Sequence, residues 1–269
     1  MYIIGGGVIN EWAGLMREIF SFLAEEIEKN NVRLAAITGG GGKTSLLYGL
    51  GGELARSNRV LLTTTTKIFR PLPEECGDIF IGPARLCFLF ARARPADSML
   101  CAASGEENGK LLGYAPEEIT QLAAGGAADI LLSECDGSRG RSLKFYESWE
   151  PPVPQSCGLL LAVAGIDALG ERADEAAVFR ADKFRLLHRL AEGAKLTADD
   201  YLSYLRGADG PLKNAPASAK KILLLNKWEN GGEEARRSLA GIIPALLESY
   251  DAVACVSLRG NRLYEYRER

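Results

Sequence analysis

Four consecutive glycines, Gly39 to Gly42, run without a break into Lys43, Thr44 and Ser45 in the stretch "ITGGGGKTS". Glycine has no Cβ to hold backbone N–H groups away from an anion. A lysine and a hydroxyl immediately after such a run suit the terminal phosphates and the Mg²⁺ of a nucleotide. The chemistry implied is phosphate binding by Gly39, Gly40, Gly41, Gly42, Lys43, Thr44 and Ser45, with Thr44 also a metal ligand. A hinge is the plainer alternative, but a hinge does not explain Lys-Thr at that place. A phosphate cradle needs a strand that stops abruptly before it and a helix whose N-terminus faces the anion. "VRLAAI" from Val32 reads as the strand, and "KTSLLYGLGGELA" reads as a helix packed through Leu46, Leu47, Leu50 and Leu54. The usual form of this loop has a glycine where this chain has Ile37, so the loop is two residues short.

A nucleotide site also needs acids, and "DILLSECDGSRG" places Glu134 and Asp136 two residues apart at a strand end. Period two puts both on one face. With Lys43 they are the candidate catalytic residues, and with Thr44 the candidate Mg²⁺ ligands; the bland alternative is an Asp-Gly turn. Thr65, Thr66 and Lys67 would emerge at the same edge from "LLTTTTKIFRP", and Arg139, Arg141 and Lys144 follow Asp136. Together they form a candidate second anion site. Asn226, Lys227 and Glu229 in "LLLNKWE" are similar to the N-K-x-D guanine-reading motif of GTPases, with glutamate in place of aspartate. The glycine loop is similar to the I-T-G-x-x-G-K-T loop of the Mur ligases, which cradles ATP. ATP and GTP both stay open.

These residues must be positioned by a core, and 269 residues can bury a substantial one. Short apolar runs of the kind expected of buried parallel strands begin at Val32, Val60, Asp78, Asp129, Gly158, Lys221 and Ala252. Helical stretches at 44–57, 116–124 and 233–247 separate several of them. The expected class is α/β, a mostly parallel, doubly wound sheet built around the phosphate loop. An amphipathic helix is expected over 10–30, with Trp12, Leu15 and Met16 on its apolar face together with Ile19, Phe20, Leu23 and Ile27. The organisation expected is an N-terminal helix within 1–31, a nucleotide-binding domain from 32–172 and 219–269, and a small helical insertion at 173–218.

A net charge of −3 gives no bulk attraction to nucleic acid or anionic lipid. No apolar run approaches membrane-spanning length and the start lacks the pattern of a secretory signal, so a cytoplasmic protein is expected. The six cysteines form no C-x-x-C pair and read as reduced, structural thiols; His188, the single histidine, excludes a site needing two imidazoles.

The order "GGGGKT", "VLLTTTTKIF", "SECDGSRGRSLK", "WEPPVP", "VAGIDALG", "LLLNKWE" resembles the YqeC-type proteins, described as selenium-dependent molybdenum hydroxylase accessory proteins. The E-x-D-G-S-R segment, a following lysine and E-P-x-x-P fall on Glu134, Asp136, Gly137, Ser138, Arg139, Lys144, Glu150, Pro151 and Pro154. Where that family has His-Arg, this chain has Phe179 and Arg180. The resemblance implies a P-loop protein associated with molybdenum hydroxylase maturation, with the molybdenum cofactor or a hydroxylase as partner. The function expected is a Mg²⁺-dependent nucleotide-binding protein, a slow NTPase. The alternatives are a kinase or ATP-dependent ligase acting on a small anionic substrate, and a nucleotide-gated carrier without turnover.

Overall fold

The computed structural model describes residues 18–269. The chain runs through α1 (Ile19–Lys29), β1 (Leu34–Gly39), α2 (Lys43–Leu54), β2 (Arg59–Thr64), β3 (Lys67–Phe69), β4 (Ile79–Ile81), α3 (Ala84–Arg92) and β5 (Ser98–Ala103). Next come β6 (Gly105–Glu107), β7 (Lys110–Leu112), α4 (Pro116–Gly125), β8 (Ile130–Glu134), β9 (Leu143–Lys144) and β10 (Leu159–Gly165). The remainder is β11 (Val178–Phe179), α5 (Ala181–His188), α6 (Ala198–Arg206), β12 (Lys220–Asn226), α7 (Glu233–Leu246), β13 (Ala252–Ser257) and β14 (Arg262–Glu268).

Nine strands form the central sheet in the order β14-β13-β12-β10-β1-β8-β2-β5-β4. All neighbours pair parallel except β13 with β14. Parallel strands covered on both faces need side chains that are apolar throughout. Strands β1, β8 and β10 accordingly read LAAITG, ILLSE and LLLAVAG and are buried at every position. Successive residues feed opposite layers. Leu34 and Ala36 of β1 join the core under α3 to α7, whereas Ala35 and Ile37 join the core under α1 and α2.

All seven expected strands are present, as β1, β2, β4, β8, β10, β12 and β13. So are the three helices expected from 44, 116 and 233, as α2, α4 and α7. The expected N-terminal helix is described from Ile19 onward, and Trp12, Leu15 and Met16 lie outside the described residues. Segment 173–218 contributes β11, α5 and α6, whose Val178, Phe184, Tyr201 and Tyr204 pack into the same core as Leu160 and Leu223 of the sheet. All six cysteines are free and buried. Among the described residues no helix is long and apolar enough to cross a membrane.

Strand β1 sits at the topological switch: the chain leaves it toward β2 on one side, and later passes from β8 to β10 on the other. The crevice beyond the carboxyl ends of β8, β1 and β10 is where open α/β sheets bind ligands.

Candidate functional site

The glycine run lies in that crevice, between the end of β1 and the start of α2. Gly39, Gly41 and Gly42 have φ of 100°, 77° and 143°, which side chains rarely adopt. Packing imposes a second requirement. A Cβ on Gly39 would lie 2.0 Å from the Val163 carbonyl oxygen, on Gly40 2.6 Å from that of Arg141, and on Gly42 2.3 Å from Asn226 Nδ2. The loop is pinned by Gly40 N donating to Val163 O at 2.8 Å and Gly39 N donating to Asp136 Oδ2 at 3.0 Å. Gly42 caps α2 without a side chain, and no acidic residue occupies the first turn. The helix therefore presents its first N–H groups and its positive dipole end to the crevice.

Lys43 turns back across the loop. Its Nζ donates to Gly39 O at 2.7 Å and lies 3.1 Å from Asp136 Oδ1, 3.9 Å from Glu134 Oε1 and 3.4 Å from Ser138 Oγ. Burial works to strip Lys43 of its proton, but Asp136 and Glu134 outweigh it and hold the ammonium above the ordinary lysine value. Thr44 Oγ1 donates to Glu134 Oε2 at 3.0 Å. Burial raises the Glu134 carboxyl above its usual range; Lys43 pulls it back and Asp136 pushes it further up. Lysine, threonine and both acids are thus one contiguous cluster.

Behind Asp136 stands Lys144, also fully buried, with Nζ 3.7 Å from Asp136 Oδ2 and 3.4 Å from Glu150 Oε2. It donates to Gly137 O at 2.9 Å and sits 4.4 Å from the Tyr146 ring centroid. Desolvation lowers its pKa, against the pull of Asp136 and Glu150. Glu150 is in turn bound by Arg180, which is stacked at 4.6 Å on Phe179. Burial alone would raise the Glu150 carboxyl, but the Arg180 hydrogen bond and the Lys144 charge hold it below its usual range.

A group with a depressed folded pKa stabilises above its unfolded value, near 4.3 for glutamate, and loses that contribution as pH falls through the folded value. Denaturant midpoints of wild type should therefore drop steeply below about pH 4.3. Glu150→Gln should be less stable at pH 7 and decline less on the same acid limb. Parallel acid limbs for the two proteins would show that Glu150 is not so held.

The other residues singled out in the sequence are dispersed. Ser45 lies in the first turn of α2. Thr65 N donates to Glu134 O at 3.0 Å beside the cluster, while Thr66 N bonds Thr64 Oγ1. Lys67 points outward on β3 and pairs with Glu107 at 2.6 Å. Arg139, at φ 49°, lies 5.2 Å from the Phe179 ring, and Arg141 Nε donates to Glu175 O. Lys144 is buried, with its Nζ 6.0 Å from the centroid of the same Phe179 ring. Asn226 Nδ2 donates to Gly41 O at 2.7 Å and its Oδ1 accepts from Leu258 N at 2.9 Å, which ties β12 to the loop. Lys227 Nζ lies 2.7 Å from Asp167 Oδ2 and 3.0 Å from Ser142 Oγ, and Glu229 is exposed. Glu150, Arg180, Ser142 and Asp167 were not singled out as site residues. All four fall in stretches that carry the family resemblance, Glu150 at its E-P-x-x-P and Arg180 at its His-Arg position, but nothing in the sequence pairs them, because their partners are distant.

The family described as YqeC protein matches residues 35–182. The chain belongs to the YqeC family. The matched span of this YqeC-family chain contains the glycine loop, Glu134, Asp136, Lys144, Glu150 and Arg180. "Uncharacterized protein YqeC" of Escherichia coli (strain K12) is 33% identical over 195 residues, covering 72% of this chain and 75% of that one. Among solved structures, the hydrogenase maturation factor HypB from Archaeoglobus fulgidus is similar at a TM-score of 0.41 and 10% identity, covering 91% of this chain and 90% of that one. A likeness that remote carries no argument.

Proposed function

We propose that this protein is a Mg²⁺-dependent nucleotide-binding protein that hydrolyses the terminal phosphoanhydride of ATP or GTP slowly, as an accessory factor in molybdenum hydroxylase maturation. The observation that carries the nucleotide reading is Lys43, buried at the mouth of an uncapped helix N-terminus and held 3.1 Å from Asp136. A buried lysine beside open backbone amides is a phosphate ligand neutralised by carboxylates. Phosphate oxygens replace those carboxylates as its partners, and the helix N–H groups take the remaining oxygens.

Thr44 and Glu134 supply adjacent hard oxygens of the kind Mg²⁺ prefers. Among the described residues no group of three or more His, Cys, Asp or Glu could hold a metal. The fit is thus to an ion that takes its remaining ligands from phosphate and water, and whose chemistry is to neutralise developing charge. Asp136 holds the loop through Gly39 N and keeps Lys43 protonated. Glu134, whose carboxyl burial raises, is the group placed to orient a water and accept its proton. The link to molybdenum hydroxylases rests on the family resemblance alone.

Phosphate release by the purified chain tests the reading. Glu134→Gln should retain nucleotide binding and slow release by about 10²-fold or more. Release that requires a small added acid would favour a kinase or ligase. Binding without release under any condition would favour a nucleotide-gated carrier.

A further inference from the structure

The N-K pair ending β12 has no aspartate at its usual place, and the glutamate there, Glu229, is exposed on the turn beyond Trp228. The fold brings another carboxylate to the same lysine. Asp167, in the turn after β10, accepts from Ser142 Oγ through Oδ1 at 2.5 Å and from Lys227 Nζ through Oδ2 at 2.7 Å. Lys227 is left-handed, φ 64°, which turns the chain so that its ammonium returns to Asp167. Gly165 makes room for the group: a Cβ there would lie 2.4 Å from Ser142 Oγ and 2.7 Å from Asp167 Oδ1.

Asp167, Lys227 and Ser142 line a cleft of about 490 Å³ at the carboxyl ends of β10 and β12, whose lining also includes small glycines and alanines and the charged Glu171, Arg172, Asp174 and Lys195. That volume lies within the range of small-molecule sites, and small side chains leave room for a planar ring. The cleft and the glycine loop share a wall. The Ser142 carbonyl oxygen lies 2.8 Å from where a Cβ on Gly40 would sit, and Asn226, next to Lys227, bonds Gly41 O.

We propose that this cleft takes the guanine of a nucleotide whose phosphates lie on the glycine loop, with Asp167 reading the base. The inference rests on the nucleotide reading above and adds the base and the residue that selects it. An ionised carboxylate has about four lone-pair sites. Ser142 and Lys227 use one on each oxygen, leaving one on each oxygen free. Guanine presents two donors side by side, N1–H and the 2-amino group. Adenine presents an unprotonated N1 and a C–H on that edge and leaves the carboxylate facing an acceptor. The Asp167 side chain keeps 36% of its exposure and that of Lys227 keeps 27%, so the two remaining lone pairs are reachable from the cleft.

Equilibrium binding of GDP, ADP, inosine diphosphate and xanthosine diphosphate to the full chain tests this. Wild type should bind GDP at least about tenfold more tightly than ADP, and inosine diphosphate, lacking the 2-amino donor, about tenfold more weakly than GDP. Asp167→Asn should lose the preference for GDP and gain affinity for xanthosine diphosphate, whose 2-carbonyl accepts from the new amide; Glu229→Gln should change neither. Wild type that binds ADP or inosine diphosphate as tightly as GDP overturns the base assignment and leaves the phosphate site standing. So does an unchanged GDP-to-ADP ratio in a folded Asp167→Asn. Wild type that binds none of the four overturns the base assignment, and failure to bind Mg²⁺–ATP and Mg²⁺–GTP as well overturns the nucleotide reading with it.

Discussion

Asp136→Ala should lower the stability of the protein by about 3–5 kcal/mol, read from chemical denaturation at pH 7. Asp136 is fully buried between the Lys43 and Lys144 ammonium groups, whose side chains keep 3% and 0% of their exposure. Removing it leaves two buried cations short of a counter-charge and orphans the Gly39 N–H. Replacing a buried ion pair whole can be neutral, whereas deleting one partner is not. The loss should shrink as pH rises. Burial already lowers the Lys144 pKa, and without Asp136 it falls further, so rising pH discharges that lysine earlier than in wild type and relieves part of the penalty. Asp136→Asn keeps an acceptor for Gly39 N and should lose less. A loss under about 1 kcal/mol for Asp136→Ala would place Asp136 among weakly contributing surface pairs.

Gly39→Ala should be comparably severe, because strain and overpacking add. The alanine would take a φ of 100°, and its Cβ would meet backbone atoms of β10 that cannot rotate away. Left-handed strain costs about 1–3 kcal/mol and overpacking about 1–3 more. The result expected is a loss of about 2–6 kcal/mol together with loss of the phosphate site. Gly52→Ala supplies the contrast within α2. Nothing lies within 4 Å of its Cβ position, and that change should stabilise the protein by about 0.4–1 kcal/mol. Equal effects at the two positions, measured as denaturant midpoints, would contradict the packing explanation.

The glycine run also shows what a sequence conveys and what it omits. The strand, loop and helix around Gly39 to Gly42 follow from the apolar run, the glycines and the leucine spacing of α2. The crowding behind the glycines does not, because Val163, Arg141 and Asn226 come from three distant segments. Period two placed Glu134 and Asp136 on one face, and both do approach Lys43. Lys144 reads in the sequence as one cation of a second anion site; only the fold encloses it between Asp136, Glu150 and Tyr146. Strand β5 has little strand signature because SMLCAA contains no β-branched or aromatic residue. The antiparallel β14, RLYEYRE, mixes four charged residues with Leu263, Tyr264 and Tyr266 at the sheet edge, and lacks the apolar run of its neighbours.

The most direct test of nucleotide binding at this loop is calorimetric titration of the full chain with Mg²⁺–ATP and Mg²⁺–GTP, beside Lys43→Ala. The expected result is saturable binding of at least one nucleotide by wild type, weakened about 10- to 100-fold by loss of the Lys43 charge-assisted bond. Binding of neither nucleotide by wild type, or equal binding by a folded Lys43→Ala, would contradict it.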